Sequence, residues 1–158
     1  YRYCDPHDHV NCSQSTNDAY PSALHVALLL ANEQLRAEMK LLVAALRAKG
    51  DAFGDVLKLG RTQLQDAVPM TLGQEFHAWA ASLEGEVRAL SAVEDPLLEV
   101  NMGGTAIGTG LNTPAGYAAK CVAHLSEIVG RDMRLADDLV EATQDTQCFV
   151  LSSRRRCS

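Results

Sequence analysis

Aromatic residues are scarce in this chain, at 5% of its 158 positions. Strands draw heavily on aromatic and β-branched side chains, so this scarcity beside abundant Ala and Leu points to helices. Basic residues are also short, with 14 Lys and Arg against 20 Asp and Glu and a net charge of −6. A nucleic-acid groove or an anionic membrane surface calls for the opposite sign, so neither partner is expected. No apolar run approaches the roughly 20 residues of a membrane span. No basic flank leads into a hydrophobic stretch at the start, as a signal peptide would have. Disorder is excluded from the other side, by 47% hydrophobic and 22% charged residues. The five cysteines are odd in number and contain no CxxC pair, which favours reduced thiols in a cytoplasmic setting. Cys4, His7, His9 and Cys12 cluster in sequence, but their spacing fits no zinc pattern, so no metal and no cofactor is expected.

What is present is helical patterning. Ser15-Thr16-Asn17-Asp18 offers several N-caps ahead of a stripe through Leu24, Leu28, Ala31, Leu35, Met39, Leu42 and Leu46. The spacing predicts one long helix ending at Lys49-Gly50, a cation followed by a C-cap glycine, with the stripe as core that needs partners from missing chain or other subunits to cover it. A turn-rich stretch with Gly54, Gly60 and Pro69 follows. A second stripe then runs through Leu72, Phe76, Trp79, Leu83, Val87, Leu90, Val93 and Leu97. Thr71 and Gln74 stand at the capping-box distance at its start, and Pro96 should kink or end it. Four glycines in residues 101–110 predict a loop. Pro114 is expected in the first turn of a third helix through Tyr117, Cys121, Leu125 and Ile128 to Gly130. A fourth helix is expected around residues 139–150. The ending, residues 151–158, fits none of this patterning.

Three segments could carry chemistry. Ser13-Gln14-Ser15-Thr16-Asn17-Asp18 gathers hydroxyls and amides at a helix start, which can cap the helix or receive an anion beside unpaired N–H groups. Gly60-Arg61-Thr62-Gln63-Leu64-Gln65-Asp66 places a cation, a hydroxyl and amides in a loop between the long helices, where a plain polar connection is the competing reading. Gly103-Gly104-Thr105 allows close backbone approach to a ligand, with a structural turn as the competing reading. Together they are donors for a small polyanion, without a clear base or nucleophile.

At these places the chain resembles the fumarase/aspartase superfamily. Asp8-His9-Val10-Asn11 with Ser13-Gln14-Ser15-Thr16-Asn17-Asp18-Ala19-Tyr20-Pro21 looks like its first signature. The unbroken block from Gly60 to Phe76 looks like its second, and the stretch from Gly103 to Pro114 is similar to its glycine loop. The resemblance covers residues 5 to about 150. Fumarases typically have Thr-His at Thr62-Gln63, and the Gln form resembles the aspartate ammonia-lyase branch. Glu99-Val100-Asn101 and Asp138-Leu139-Val140-Glu141-Ala142-Thr143 also look more like that branch.

The resemblance implies an all-α long-helix bundle, incomplete here, in a homotetramer whose active sites each draw on three subunits. It implies reversible elimination of ammonia from L-aspartate to give fumarate. Family members place Ser15, Thr16, Asn17, Thr62 and Gln63 around the substrate carboxylates. The family's base is a serine in a Gly-Ser-Ser loop followed by Met-Pro-x-Lys-x-Asn, and neither motif occurs in this chain. No catalytic base is therefore assigned. Asp5-Pro6-His7 stands where the family usually has His-Pro-Asn. The chain reads as an internal fragment: residues 1–13 close an N-terminal region, 14–150 belong to the central helical domain, and 151–158 form an aberrant tail. Two other readings compete, a fumarate hydratase using nearly the same donors and a non-catalytic helical piece that only assembles with other chains. Gln63 argues against the hydratase, because an amide holds a carboxylate but does not titrate near neutrality.

Overall fold

The computed structural model describes residues 3–156 and divides them into two compact units, residues 3–31 with 93–156 and Asn32–Ala92. Helices dominate both. Among the described residues no helix is long and apolar enough to cross a membrane.

Helix α1, Thr16–Ala52, starts in the first unit and runs into the second. Its start is set by a reciprocal cap. The Ser15 hydroxyl accepts from the Asn17 N–H at 3.2 Å, and the Asp18 carboxylate accepts from the Ser15 N–H at 2.8 Å. Pro21 lies inside the helix and lacks the N–H that would bond the Asn17 carbonyl four residues back. The Asn101 amide takes that place, donating to the Asn17 carbonyl at 2.9 Å.

The expected stripe is not the buried one. Leu24, Leu35 and Leu42 are exposed, whereas Ser22, Leu29, Asn32, Val43 and Gly50 on the neighbouring face are buried. Polar residues fit that face because their bonds are made: Asn32 donates to the Leu90 carbonyl at 3.0 Å, and Ser22 to the Asn101 side-chain oxygen at 3.4 Å. Gly50 does not cap the helix, which continues to Ala52. A Cβ there would lie 2.7 Å from the His77 ring, so the glycine serves close packing.

The stretch expected as a loop is an antiparallel hairpin of β1, Leu57–Thr62, and β2, Gln65–Thr71. Its pairing runs from Leu57 opposite Thr71 to Thr62 opposite Gln65, with a bulge between Leu59 and Arg61. Gln63 and Leu64 form a two-residue turn with φ of 49° and 64°. Both signs match the turn whose twist suits a hairpin, although Asn-Gly is the usual choice there. Helix α2, Leu72–Ala92, opens on the expected capping box: Gln74 N–H to Thr71 Oγ1 at 3.2 Å, and Thr71 N–H to Gln74 Oε1 at 2.9 Å. The second stripe breaks at Val93 into a one-turn helix α3, Glu94–Leu97, which contains Pro96.

In the first unit a core of Leu29, Val93, Leu97, Val100, Met102, Val122, Met133 and Cys148 gathers the elements. Burying side chains of this size stabilises by roughly 1.5–3 kcal/mol each. Strands β3, Glu99–Val100, and β4, Arg134–Leu135, pair in parallel. Residues 101–116 form the expected irregular glycine loop. Helix α4, Tyr117–Val129, begins after Gly116 in a left-handed conformation (φ 78°), which places Pro114 ahead of the helix and not in its first turn. It ends at left-handed Gly130, as its sequence indicates. The expected fourth helix is two, α5, Leu139–Gln144, capped by Asp138, and α6, Gln147–Arg156. Helix α6 runs through positions 151–156, with Ser152 buried and donating to the Cys148 carbonyl at 2.8 Å.

Leu64 is 98% exposed, so its left-handed backbone is not offset by burial. Left-handed backbone costs a non-glycine residue about 1–2 kcal/mol. Leu64→Gly should therefore raise the thermal midpoint by about 1–3 °C, and Leu64→Val should lower it, both read by circular dichroism.

Candidate functional site

The first turn of α1 and the glycine loop, both in the first unit, are tied together by one buried carboxylate. Asp18 is fully buried. Its Oδ1 accepts from Ser15, while Oδ2 accepts from the backbone N–H of Gly103 at 3.2 Å and of Thr105 at 2.9 Å. Two amides add to the tie. Asn17 Nδ2 donates to the Ala106 carbonyl at 2.6 Å, and Asn101 Nδ2 also reaches Thr143 Oγ1 at 3.0 Å. Thr105 is β-branched yet held at φ 56°, and its buried hydroxyl has no partner among the described residues.

Ser15 and Thr16 line a shallow cavity of about 350 Å³ with Asn11, Ala19 and Tyr20. Thr16 is the first helical residue, so its N–H has no intrahelical acceptor. Hydroxyls and the positive end of a 37-residue helix meet at this opening. A carboxylate or another small anion is the matching ligand. Asn17 is not among the residues lining this cavity, and its side chain serves the loop. Thr62 and Gln63 lie in the second unit, at the last position of β1 and the first of its turn, both exposed. Beside them Arg61 pairs with Asp66 across the hairpin at 3.3 Å.

A larger cavity of about 420 Å³ lies within the first unit and includes His25, Asn101, Arg134, Glu141, Asp145 and Cys148 in its lining. His25 Nε2 stands 3.1 Å from Cys148 Sγ. Burial pushes the imidazole below its usual pKa, and burial with the nearby Asp145 pushes the thiol up. Both partners are thereby held neutral, which is the opposite of an activated thiolate. Near the N-terminus, His9 Nδ1 accepts from the Asp5 N–H at 2.9 Å and Cys12 donates to the Asp8 carbonyl. Among the described residues, no three His, Cys, Asp or Glu side chains gather around a point where an ion could sit.

A family model described as lyase matches residues 2–154. The chain belongs to the fumarase/aspartase superfamily of lyases. It is 53% identical to an aspartate ammonia-lyase of Pseudomonas aeruginosa over 97% of its own length and 32% of that protein's. Among solved structures, a cobalt-bound fumarate lyase:delta crystallin from Brucella melitensis superposes with a TM-score of 0.92 at 49% identity, covering 98% of this chain and 34% of that one. A class II fumarase from Schistosoma mansoni gives 0.85 at 27% identity, covering 97% of this chain and 35% of that one. The chain thus spans about a third of the length of these relatives.

Sequence reasoning put Asp18 among several possible caps and missed its hold on the glycine loop. The Ser-x-x-Asp spacing of a capping box was the available signal for its first bond. Pro21 was the signal for Asn101, because a proline at that point leaves a carbonyl in need of a donor. Nothing in the sequence marks the His25–Cys148 pair, which are 123 residues apart.

The lowered pKa of His25 fixes a pH dependence. Between the ordinary value of 6.5 and the lower folded value, the unfolded chain binds more protons, so stability is complete above 6.5 and falls as pH drops through the folded pKa. Urea midpoints should decline from pH about 7 to about 5, and His25→Gln should flatten part of that slope. An unchanged slope in the variant would remove His25 as its source.

Proposed function

We propose that this chain is part of an aspartate ammonia-lyase, which reversibly eliminates ammonia from L-aspartate to give fumarate. The observation that carries the reading is Thr16. It is exposed at the first position of α1 and lines the cavity at that N-terminus. The 53% identity to a protein of that name supports the substrate assignment.

In the elimination, a base removes a proton from the carbon next to the side-chain carboxylate. The electrons move onto that carboxylate, giving an aci-carboxylate with two negative charges, and the C–N bond then breaks. Fixed donors aimed at the developing charge are the main requirement. Ser15 and Thr16 supply hydroxyls at the positive end of α1, and Asn17, Thr62 and Gln63 complete the proposed carboxylate set. This chain assigns no residue to the base. A homotetramer, with each site assembled from several subunits, accommodates donors contributed by separate parts of the chain. Free thiols at Cys4, Cys12, Cys121 and Cys148 suit a cytoplasmic location.

Two substitutions in the full-length enzyme carrying these residues test the reading. Thr16→Ala should lower the rate by roughly a hundredfold or more, the scale of an oxyanion-hole donor worth about 2.7–4 kcal/mol, with the melting temperature nearly unchanged. A variant that melts lower and turns over normally would leave the hydroxyl a simple helix-end group. Gln63→His should weaken aspartate turnover without creating malate formation, because one imidazole supplies no water-activating surroundings. Strong malate production in that variant would show that this position alone selects the reaction.

A further inference from the structure

We infer that Asp18, backed by the Asn101 amide, is the positioning device that aligns the Ser15–Thr16 donors for charge stabilisation. The inference rests on the proposed lyase reading of that cluster. Asp18 reaches no opening, being fully buried, so it acts through the residues it holds. Three backbone N–H groups converge on its two oxygens, from Ser15 on one side and from Gly103 and Thr105 on the other. The first bond fixes the residue that precedes Thr16. The other two anchor the loop whose Ala106 carbonyl holds the Asn17 side chain.

The arrangement exceeds what helix capping needs. A cap requires the bond to Ser15 alone, which leaves the two bonds from the loop unexplained. Thr105 sharpens the point, because a β-branched residue keeps a left-handed backbone only where its surroundings over-determine it. Asn101 closes the other side by occupying the Asn17 carbonyl that Pro21 leaves without a helical donor. The first turn of α1 is thus held through both a backbone N–H and a carbonyl, by groups that do not line the small cavity. Fixed donors are effective in a transition state because they need no reorientation when charge appears.

An amide cannot replace this carboxylate. Whichever way Asn is placed at position 18, its NH₂ faces either the Ser15 N–H or the Gly103 and Thr105 pair. Shape is preserved while one set of bonds becomes donor against donor.

The test is a double-mutant cycle in the full-length enzyme, with kcat, KM and melting temperature measured for Thr16→Ala, Asp18→Asn and the pair. Asp18→Asn is expected to lower kcat by roughly tenfold to a hundredfold with a smaller change in KM. In that background Thr16→Ala should cost less than about threefold further, because its donor is already out of place. Independent, multiplying losses would overturn the positioning role while leaving Thr16 as a donor. So would a normal kcat in an Asp18→Asn enzyme that only melts lower. A normal rate in Thr16→Ala alone would sink the lyase reading of this helix end, and the positioning role with it. Should Asp18→Asn not fold, Asn101→Ser removes the other hold. It should lower kcat by a few fold, again less than multiplicatively with Thr16→Ala, and full multiplication there overturns the inference.

Discussion

A buried carboxylate is costly unless its oxygens are well bonded, and Asp18, with no cation beside it among the described residues, is the case on which the first unit turns. Its three N–H partners and its place in the first turn of α1 supply what a salt bridge would otherwise supply. The consequences run outward from there. The start of α1 is fixed by the bond to Ser15, the glycine loop is anchored at Gly103 and Thr105, and left-handed Thr105 is kept in place. Close packing of that loop adds a second constraint. A Cβ at Gly103 would lie 2.6 Å from that of Ala118, and one at Gly108 would collide with the backbone at Leu139 and Val140. The loop is therefore irregular but not loose.

Helix ends were the most legible part of the fold. Thr71 and Gln74 announced the start of α2 through the capping-box spacing, and Gly130 announced the end of α4. Both signals are local, since the residues that make the structure adjoin it. Gly50 misled for the same reason. Its meaning is tertiary, the approach of His77, and no neighbouring residue reveals that. The hairpin was hidden because its turn carries Gln-Leu where Asn-Gly would have signalled it. The buried row of α1 was not singled out because it includes Ser22 and Asn32, whose polarity is offset by hydrogen bonds that periodicity does not register. Leucines on the adjacent row then look like the core.

Of the candidate site, residue types and their local settings were legible, and the supports were not. Ser15 and Thr16 were singled out as hydroxyls at a helix start and line a cavity there. Asn17 was chosen on the same ground, and its amide bonds the glycine loop. Thr62 and Gln63 were placed in a polar connection that is a hairpin tip. The supports Asp18 and Asn101 connect positions more than eighty residues apart, and chain distance hides such pairs from any pattern read along the sequence.

On the proposed function, the character of the donors matters as much as their places. Ser15, Thr16, Asn17, Thr62 and Gln63 are all neutral. A cation would attract the carboxylates of substrate and transition state alike, and such uniform binding lowers KM without raising kcat. Neutral dipoles respond more selectively if they are fixed toward the oxygen that gains charge, because the extra electron density appears only as the proton leaves. Selectivity of that kind depends on rigidity, since a donor free to follow the ground-state oxygen would bind both states equally. A helix end held by Asp18 on one side and Asn101 on the other meets that condition. On that reading the buried charge works indirectly: its negative field opposes an anion nearby, while its bonds fix the neutral groups proposed to receive one.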